Sequence, residues 1–108
     1  MAADEHRMSE ASREVSRVAT SVIDSLGDVT RLTYAENVDG RESGAALAVA
    51  RMTADMARNA HLLLPAEEES LDACASTDDV LRWALNFRQR LFSVVLQLEA
   101  IRTSSRWL

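Results

Sequence analysis

The chain has 108 residues, a formal net charge of −5 and 47% hydrophobic residues, and all twelve of its basic side chains are arginine. The missing lysine excludes Schiff-base catalysis, pyridoxal phosphate attachment and the P-loop phosphate cradle, because each of these requires a lysine amine. The acidic balance argues against nucleic-acid binding, which needs a basic stripe to neutralise phosphates. We therefore expect one acidic, lysine-free domain over residues 1–108.

The expected location is cytoplasmic. The amino-terminal segment Met1–Arg7 carries two acids with no apolar segment after it, which is unlike a secretion signal. The stretch Leu91–Leu98 is interrupted by polar residues and is far shorter than the about twenty residues that span a bilayer. The single cysteine, Cys74, cannot form an internal disulfide, which agrees with a reducing compartment.

The first third of the chain predicts one amphipathic helix from Asp4 or Ser9 to Leu26, because apolar residues recur there at steps of three and four. Gly27-Asp28 is typical of a helix stop. Residues 29–38 fit both a helix and an alternating strand. We favour a helix, because a lone strand would leave its backbone groups without partners.

A second helix is predicted from a capping box at Asp39–Glu42 to about Leu64. Its apolar side includes His61 and is rich in alanine. The small alanine side chains would allow a neighbouring backbone to come close. Pro65 and three consecutive glutamates predict the start of a short helix, since proline suits the first helical position and acids stabilise it.

The last helix is predicted from Asp79 to about Ser104, with a cap within residues 76–79. Its apolar arc covers roughly 220° of the helix surface, about twice what a surface helix needs. The expected fold is therefore all-α, an antiparallel helical bundle of three long helices plus one or two short helices. The broad arc further predicts a homodimer with this last helix at the interface.

The candidates for chemistry are few, and we expect no enzyme, no cofactor and no metal site. His6 lies near the chain start, and His61 could face a haem only with a methionine from elsewhere, so we interpret it as a histidine at the core edge. Cys74 lacks the sequence context of a nucleophile. The pair Glu69 and Asp72 resembles half of the magnesium site of all-helical nucleotide pyrophosphohydrolases, but the upstream Glu-x-x-Glu partner is missing.

The leading functional hypothesis is a noncatalytic helical protein–protein interaction module: an adaptor, a dedicated chaperone or a regulatory or inhibitory subunit. The expected partner-binding residues lie on or beside the last helix: Trp83, Phe87, Arg88, Phe92 and Trp107. Arg88 would either extend to solvent or pair with an acid of another helix or chain. One alternative is a small-molecule or cofactor-binding bundle with a cavity beside His61. Another is a helix-turn-helix DNA-binding regulator with contacts from Arg82, Arg88 and Arg90.

Overall fold

A computed structural model of the chain describes residues 2–41 and 44–107, with side chains over 10–41 and 44–103. It contains four helices: α1 (Ala2–Asp39), α2 (Ala45–Asn59), α3 (Pro65–Asp72) and α4 (Thr77–Trp107). The described residues include no strand, so the all-α prediction is confirmed. Two helices are long, one is of intermediate length and one is short, instead of the three long helices expected.

The helices pack as an antiparallel bundle around α1. α1 has 38 residues and is about 57 Å long at 1.5 Å per residue, which matches the longest dimension of the molecule, 57 Å. Its carboxyl end contacts the start of α4, where the Thr77 hydroxyl donates a hydrogen bond to Glu36 at 3.2 Å. α2 returns along α1, and the hydroxyls of Ser25 and Thr53 are hydrogen-bonded at 2.6 Å between these two helices.

The core contains large apolar side chains from α1 and α4 and small ones from α2. Leu26 and Leu91 are fully buried, and Phe87 is nearly so. On α2 the buried positions are all small: Ala46, Ala50, Thr53, Ala54 and Ala57. These small side chains let α2 lie close to α1, as the alanine-rich pattern predicted.

The predicted stop at Gly27 is wrong, because α1 continues through this glycine to Asp39. A glycine inside a helix costs about 1 kcal/mol relative to alanine. The flanking residues Leu26 and Val29 are fully buried, and their burial outweighs that cost. The ambiguous segment 29–38 is helical, and it belongs to α1 instead of forming a separate helix.

The predicted capping box at Asp39 is also wrong. Asp39 is the last residue of α1, and Gly40 follows it with a φ of 66°, the left-handed conformation that ends helices. The Arg41 N–H donates to the carbonyl of Glu36 at 3.2 Å, which is the hydrogen bond of a Schellman motif. α2 begins only at Ala45, after a second left-handed glycine, Gly44.

α2 ends earlier than predicted, at Asn59 instead of about Leu64. His61 therefore lies beyond the helix, exposed and with a φ of 60°, and is not part of the buried side of α2. The Leu62 N–H donates to the carbonyl of Ala57 at 2.8 Å, so the turn closes the helix and reverses the chain direction.

The starts of the last two helices are close to the predicted positions. α3 begins at Pro65, and the Glu67 carboxylate accepts a hydrogen bond from the Leu64 N–H at 2.9 Å. α4 begins at Thr77, two residues before the predicted start, and the Ser76 hydroxyl accepts from the Asp79 N–H at 3.2 Å. The start of α4 uses the side-chain cap that the sequence pattern indicated, whereas the hydrogen bond of Glu67 at the start of α3 was not predicted.

The molecule has two regions of different construction. In the bundle region, residues 19–41 and 44–91, all four helices pack together and contribute buried residues. The arm, residues 2–18 and 92–107, consists of α1 and α4, and the end of α2 reaches only its start, beside Val15 and Val18. Among the described arm side chains, 10–18 and 92–103, no residue is buried. The arm is therefore a helix pair without a closed core.

Candidate functional site

The most exposed apolar surface of α4 begins in the bundle region and continues along the arm. Leu85 and Phe92 are each 45% exposed and Leu96 is 65% exposed. At 3.6 residues per turn these three side chains lie within about 40° of one another and about 120° from buried Leu91. Together with Arg88, which lies between them along the helix, they form what we call the α4 stripe.

Arg88 is held against the α4 stripe by an aromatic ring. Its guanidinium carbon lies 5.4 Å from the centroid of the Phe92 ring, within the range of a cation–π interaction. Its Nε atom is buried and has no hydrogen-bond partner within the part of the chain that the structure describes. The side chain therefore lies along apolar surface and keeps a polar atom unsatisfied there, which costs about 1–3 kcal/mol in a closed site.

Two of the expected partner-binding residues are in the core. Trp83 is 5% exposed and Phe87 is 1% exposed, and their ring centroids are 5.4 Å apart. The indole N–H of Trp83 donates to the Glu67 carbonyl of α3 at 2.8 Å, so the short helix covers both rings. The side chain of Trp107 lies outside the described residues. Of the five expected residues, Phe92 is exposed and Arg88 is partly buried beside it.

α3 is attached to α4 by an ion pair that the sequence patterns did not reveal. The Arg90 Nε atom lies 2.5 Å from one Glu67 carboxylate oxygen, and a second guanidinium nitrogen lies 2.6 Å from the other. The same guanidinium donates to the Leu62 carbonyl and lies over the Phe87 ring. The partners are 23 residues apart in sequence, so no local spacing could identify the pair.

A second unpredicted contact joins the starts of two helices. The Glu36 carboxylate accepts hydrogen bonds from the Ala46 N–H of α2 and from the Thr77 hydroxyl of α4, both at 3.2 Å. A carboxylate is favourable there because the amino-terminal ends of helices carry partial positive charge. Glu36 therefore fixes where α2 and α4 begin relative to the end of α1.

Among the candidates for chemistry, the structure describes the side chains of Cys74 and His61. Burial, followed by the charge of Asp79, raises the pKa of the Cys74 thiol and keeps it protonated. His61 is exposed on a turn, and the side chain of His6 lies outside the described residues. Within the described residues, no group of three His, Cys, Asp or Glu side chains could hold a metal ion.

An apolar cleft of about 360 Å³ lies where α2 ends beside α1. Its lining includes the apolar side chains of Val18, Met56 and Leu62, and Glu14, Val15, Asn59 and Ala60 complete it. His61 is not among the lining residues, so this cleft is not the cavity expected beside that histidine.

Comparisons with protein-family models, with curated proteins and with solved structures found no match to this chain. No helix within the described residues is long and apolar enough to cross a membrane.

Proposed function

We propose that this protein is a noncatalytic helical interaction module that binds a protein partner through the α4 stripe. The observation that supports the proposal is the absence of buried residues among the described arm side chains, beside a row of exposed apolar side chains on α4. Surfaces of this kind mark protein–protein contacts more often than isolated exposed residues do.

The composition of the α4 stripe also favours a protein partner. Phe92 and Leu96 supply apolar area, and Arg88 supplies charge beside an aromatic ring. Aromatic residues and arginine are enriched at the centres of protein interfaces. A helical face with apolar residues at steps of three, four and seven is also how amphipathic helices recognise one another.

The expected homodimer and the cytoplasmic location remain parts of this proposal. A second copy would present the same stripe, so one surface could serve self-association as well as another partner. The free thiol of Cys74 supports a reducing compartment.

A ligand-binding bundle is the second candidate, favoured by the cleft beside Val18, Met56 and Leu62. Apolar clefts between helices are common ligand sites. A thermal-shift screen with fatty acids, flavin and haem tests it. Stabilisation that Val18→Glu abolishes would support this candidate. The DNA-binding alternative is weakened because Arg90, one of its three expected contacts, is engaged by Glu67.

The interaction proposal is tested with three immobilised baits: wild type, the double variant Phe92→Glu/Leu96→Glu, and Met52→Glu. Met52 is 71% exposed on α2, outside the α4 stripe, and provides the matched control. Each is exposed to host lysate supplemented with a differently tagged copy of the chain. Every retained protein is then purified and titrated against the three baits by calorimetry.

The expected result is a partner that wild type and Met52→Glu bind equally and that the stripe variant binds at least about tenfold more weakly. If the three baits bind the same proteins with equal affinity, or none binds any, the α4 stripe is not an interaction surface.

A further inference from the structure

Three residues of the α4 stripe, Leu85, Arg88 and Phe92, belong to a longer series on α4 that has the spacing of a self-complementary helix seam. Leu85, Phe92 and Glu99 are separated by seven residues, and so are Leu81, Arg88, Val95 and Arg102. These two series correspond to the two core positions of a heptad repeat. In an antiparallel pair of identical helices, each residue of one series faces a residue of the other series in the second copy. Because the two copies are related by a twofold axis, the residue numbers of every facing pair add up to the same value.

One register of such a pair places opposite charges together. When Phe92 faces Val95 of a second copy, Arg88 faces Glu99 of that copy, and twofold symmetry repeats both contacts. Phe92 is half exposed and Glu99 is exposed, whereas Val95 is partly buried against the core of its own chain and keeps only part of its surface accessible. The Arg88 guanidinium already lies over Phe92, and no carboxylate within the described residues pairs with it. A carboxylate from a second copy would satisfy that charge.

The same register also covers the arm. With the twofold axis between residues 93 and 94, the arm of each copy lies against the first half of the other copy's α4. Leu96 then lies beside the central contacts, and Leu85 faces Arg102 of the other copy. Because no described arm residue is buried in the single chain, this pairing supplies the covering layer that the arm lacks.

We infer that the protein forms an antiparallel homodimer through α4, in which Arg88 of each copy pairs with Glu99 of the other around a central contact of Phe92 and Val95. The inference rests on the proposed interaction function of the α4 stripe, and it identifies a second copy of this chain as the partner.

Charge exchange tests this register directly. In Arg88→Glu, the introduced glutamate of each copy would face Glu99 of the other copy. In Glu99→Arg, the introduced arginine of each copy would face Arg88 of the other copy. We expect either variant alone to dimerise at least about tenfold more weakly than wild type, since facing like charges are costly in an interface.

An equimolar mixture of the two variants should form a heterodimer. In one layer the introduced glutamate of the first chain faces the introduced arginine of the second. In the other layer the native Glu99 of the first chain faces the native Arg88 of the second. Both layers then pair opposite charges, as in the wild-type dimer.

The measurements are sedimentation equilibrium for mass and circular dichroism for folding of each variant. Arg82→Glu, an exposed charge reversal about 110° around α4 from the centre of the seam, serves as the control and should dimerise like wild type. Restored dimerisation in the mixture supports the register, because a variant that had lost its fold could not regain dimerisation by mixing. A dimeric wild type whose mixed variants remain monomeric overturns it.

A wild-type chain that is monomeric at its highest soluble concentration overturns the second-copy inference altogether. The interaction proposal would then be tested by the bait comparison alone. A different partner would still bind wild type more tightly than the stripe variant. Conversely, all baits could bind equally while the wild-type chain forms a dimer in another register. That result would reject the α4 stripe as the interaction surface, but it would retain self-association.

Discussion

The bundle region and the arm are built from the same two long helices, yet they differ in what surrounds those helices. Between residues 19 and 91 the shorter helices α2 and α3 complete the packing, and Val22, Leu26 and Leu91 lose all contact with solvent. Beyond residue 91 only α1 and α4 remain, and Leu96 and Ile101 are more than half exposed. The difference shows that neighbouring helices decide whether an apolar helix face is buried. The same helix contributes core residues at one end and exposed apolar residues at the other.

The largest expected effect compares two phenylalanines of α4. Phe87→Ala should lower the free energy of unfolding by about 3–5 kcal/mol, because it leaves a cavity in the buried core. Phe92→Ala should cost less than about 1 kcal/mol, because that ring is half exposed. Urea denaturation at a concentration that keeps the chain monomeric measures both. Equal losses would mean that the arm has a core of its own.

The next effect compares two ion pairs. Glu67→Ala should cost about 2 kcal/mol, since it leaves Arg90 half-buried without its carboxylate and removes the cap of α3. Glu14→Ala, which breaks the exposed arm pair with Arg17, should cost at most about 0.5 kcal/mol. Chemical denaturation of both variants provides the comparison. A loss at Glu14 as large as that at Glu67 would contradict the view that the pair of Glu14 and Arg17 is solvated.

A smaller and opposite effect is expected at Gly27. A Cβ atom added there meets no atom within 4 Å, and the residue is helical. Gly27→Ala should therefore stabilise the protein by about 0.5–1 kcal/mol, because alanine has the higher helix propensity. Thermal unfolding followed by circular dichroism measures the gain. A destabilised variant would show that α1 departs from a regular helix at this position.

The smallest expected effect is a loss of stability at low pH. The Ala75 N–H and the Ser76 hydroxyl hold the pKa of Asp79 below its usual value of 3.8. Because this pKa is lower in the folded state, the ionised carboxylate stabilises the fold above about pH 4, and that contribution is lost as the pH falls through the folded-state pKa.

The corresponding test compares Asp79→Asn with wild type by urea denaturation at pH 7 and pH 3. The variant should be less stable than wild type at pH 7, and the difference should shrink at pH 3. A difference that is constant with pH would show that Asp79 acts through its neutral hydrogen bonds alone.

Local patterns in the sequence were sufficient to predict the helical class and the starts of α3 and α4. Caps such as Ser76 and helix-initiating residues such as Pro65 act within one turn, so their effects can be read from neighbouring residues. Gly27 misled the prediction because tertiary burial on the adjacent face overrode a weak local preference.

The candidate site was predictable only in part. The apolar width of α4 was visible, but which part of it is covered depends on α3, and α3 is positioned by Glu67 and Arg90 across 23 residues. For that reason Trp83 and Phe87 were expected at the surface and are found in the core, whereas Phe92 is exposed and Arg88 is partly buried beside it. Contacts such as Glu36 with Thr77, 41 residues apart, have no signature in either sequence segment alone.

The Glu36 contact also sets an order of folding events. Once it joins the end of α1 to the start of α4, the loop between these helices is closed, and each further turn of α1 against α4 can form without a new long-range search. The helix pair should therefore form from this contact toward the arm.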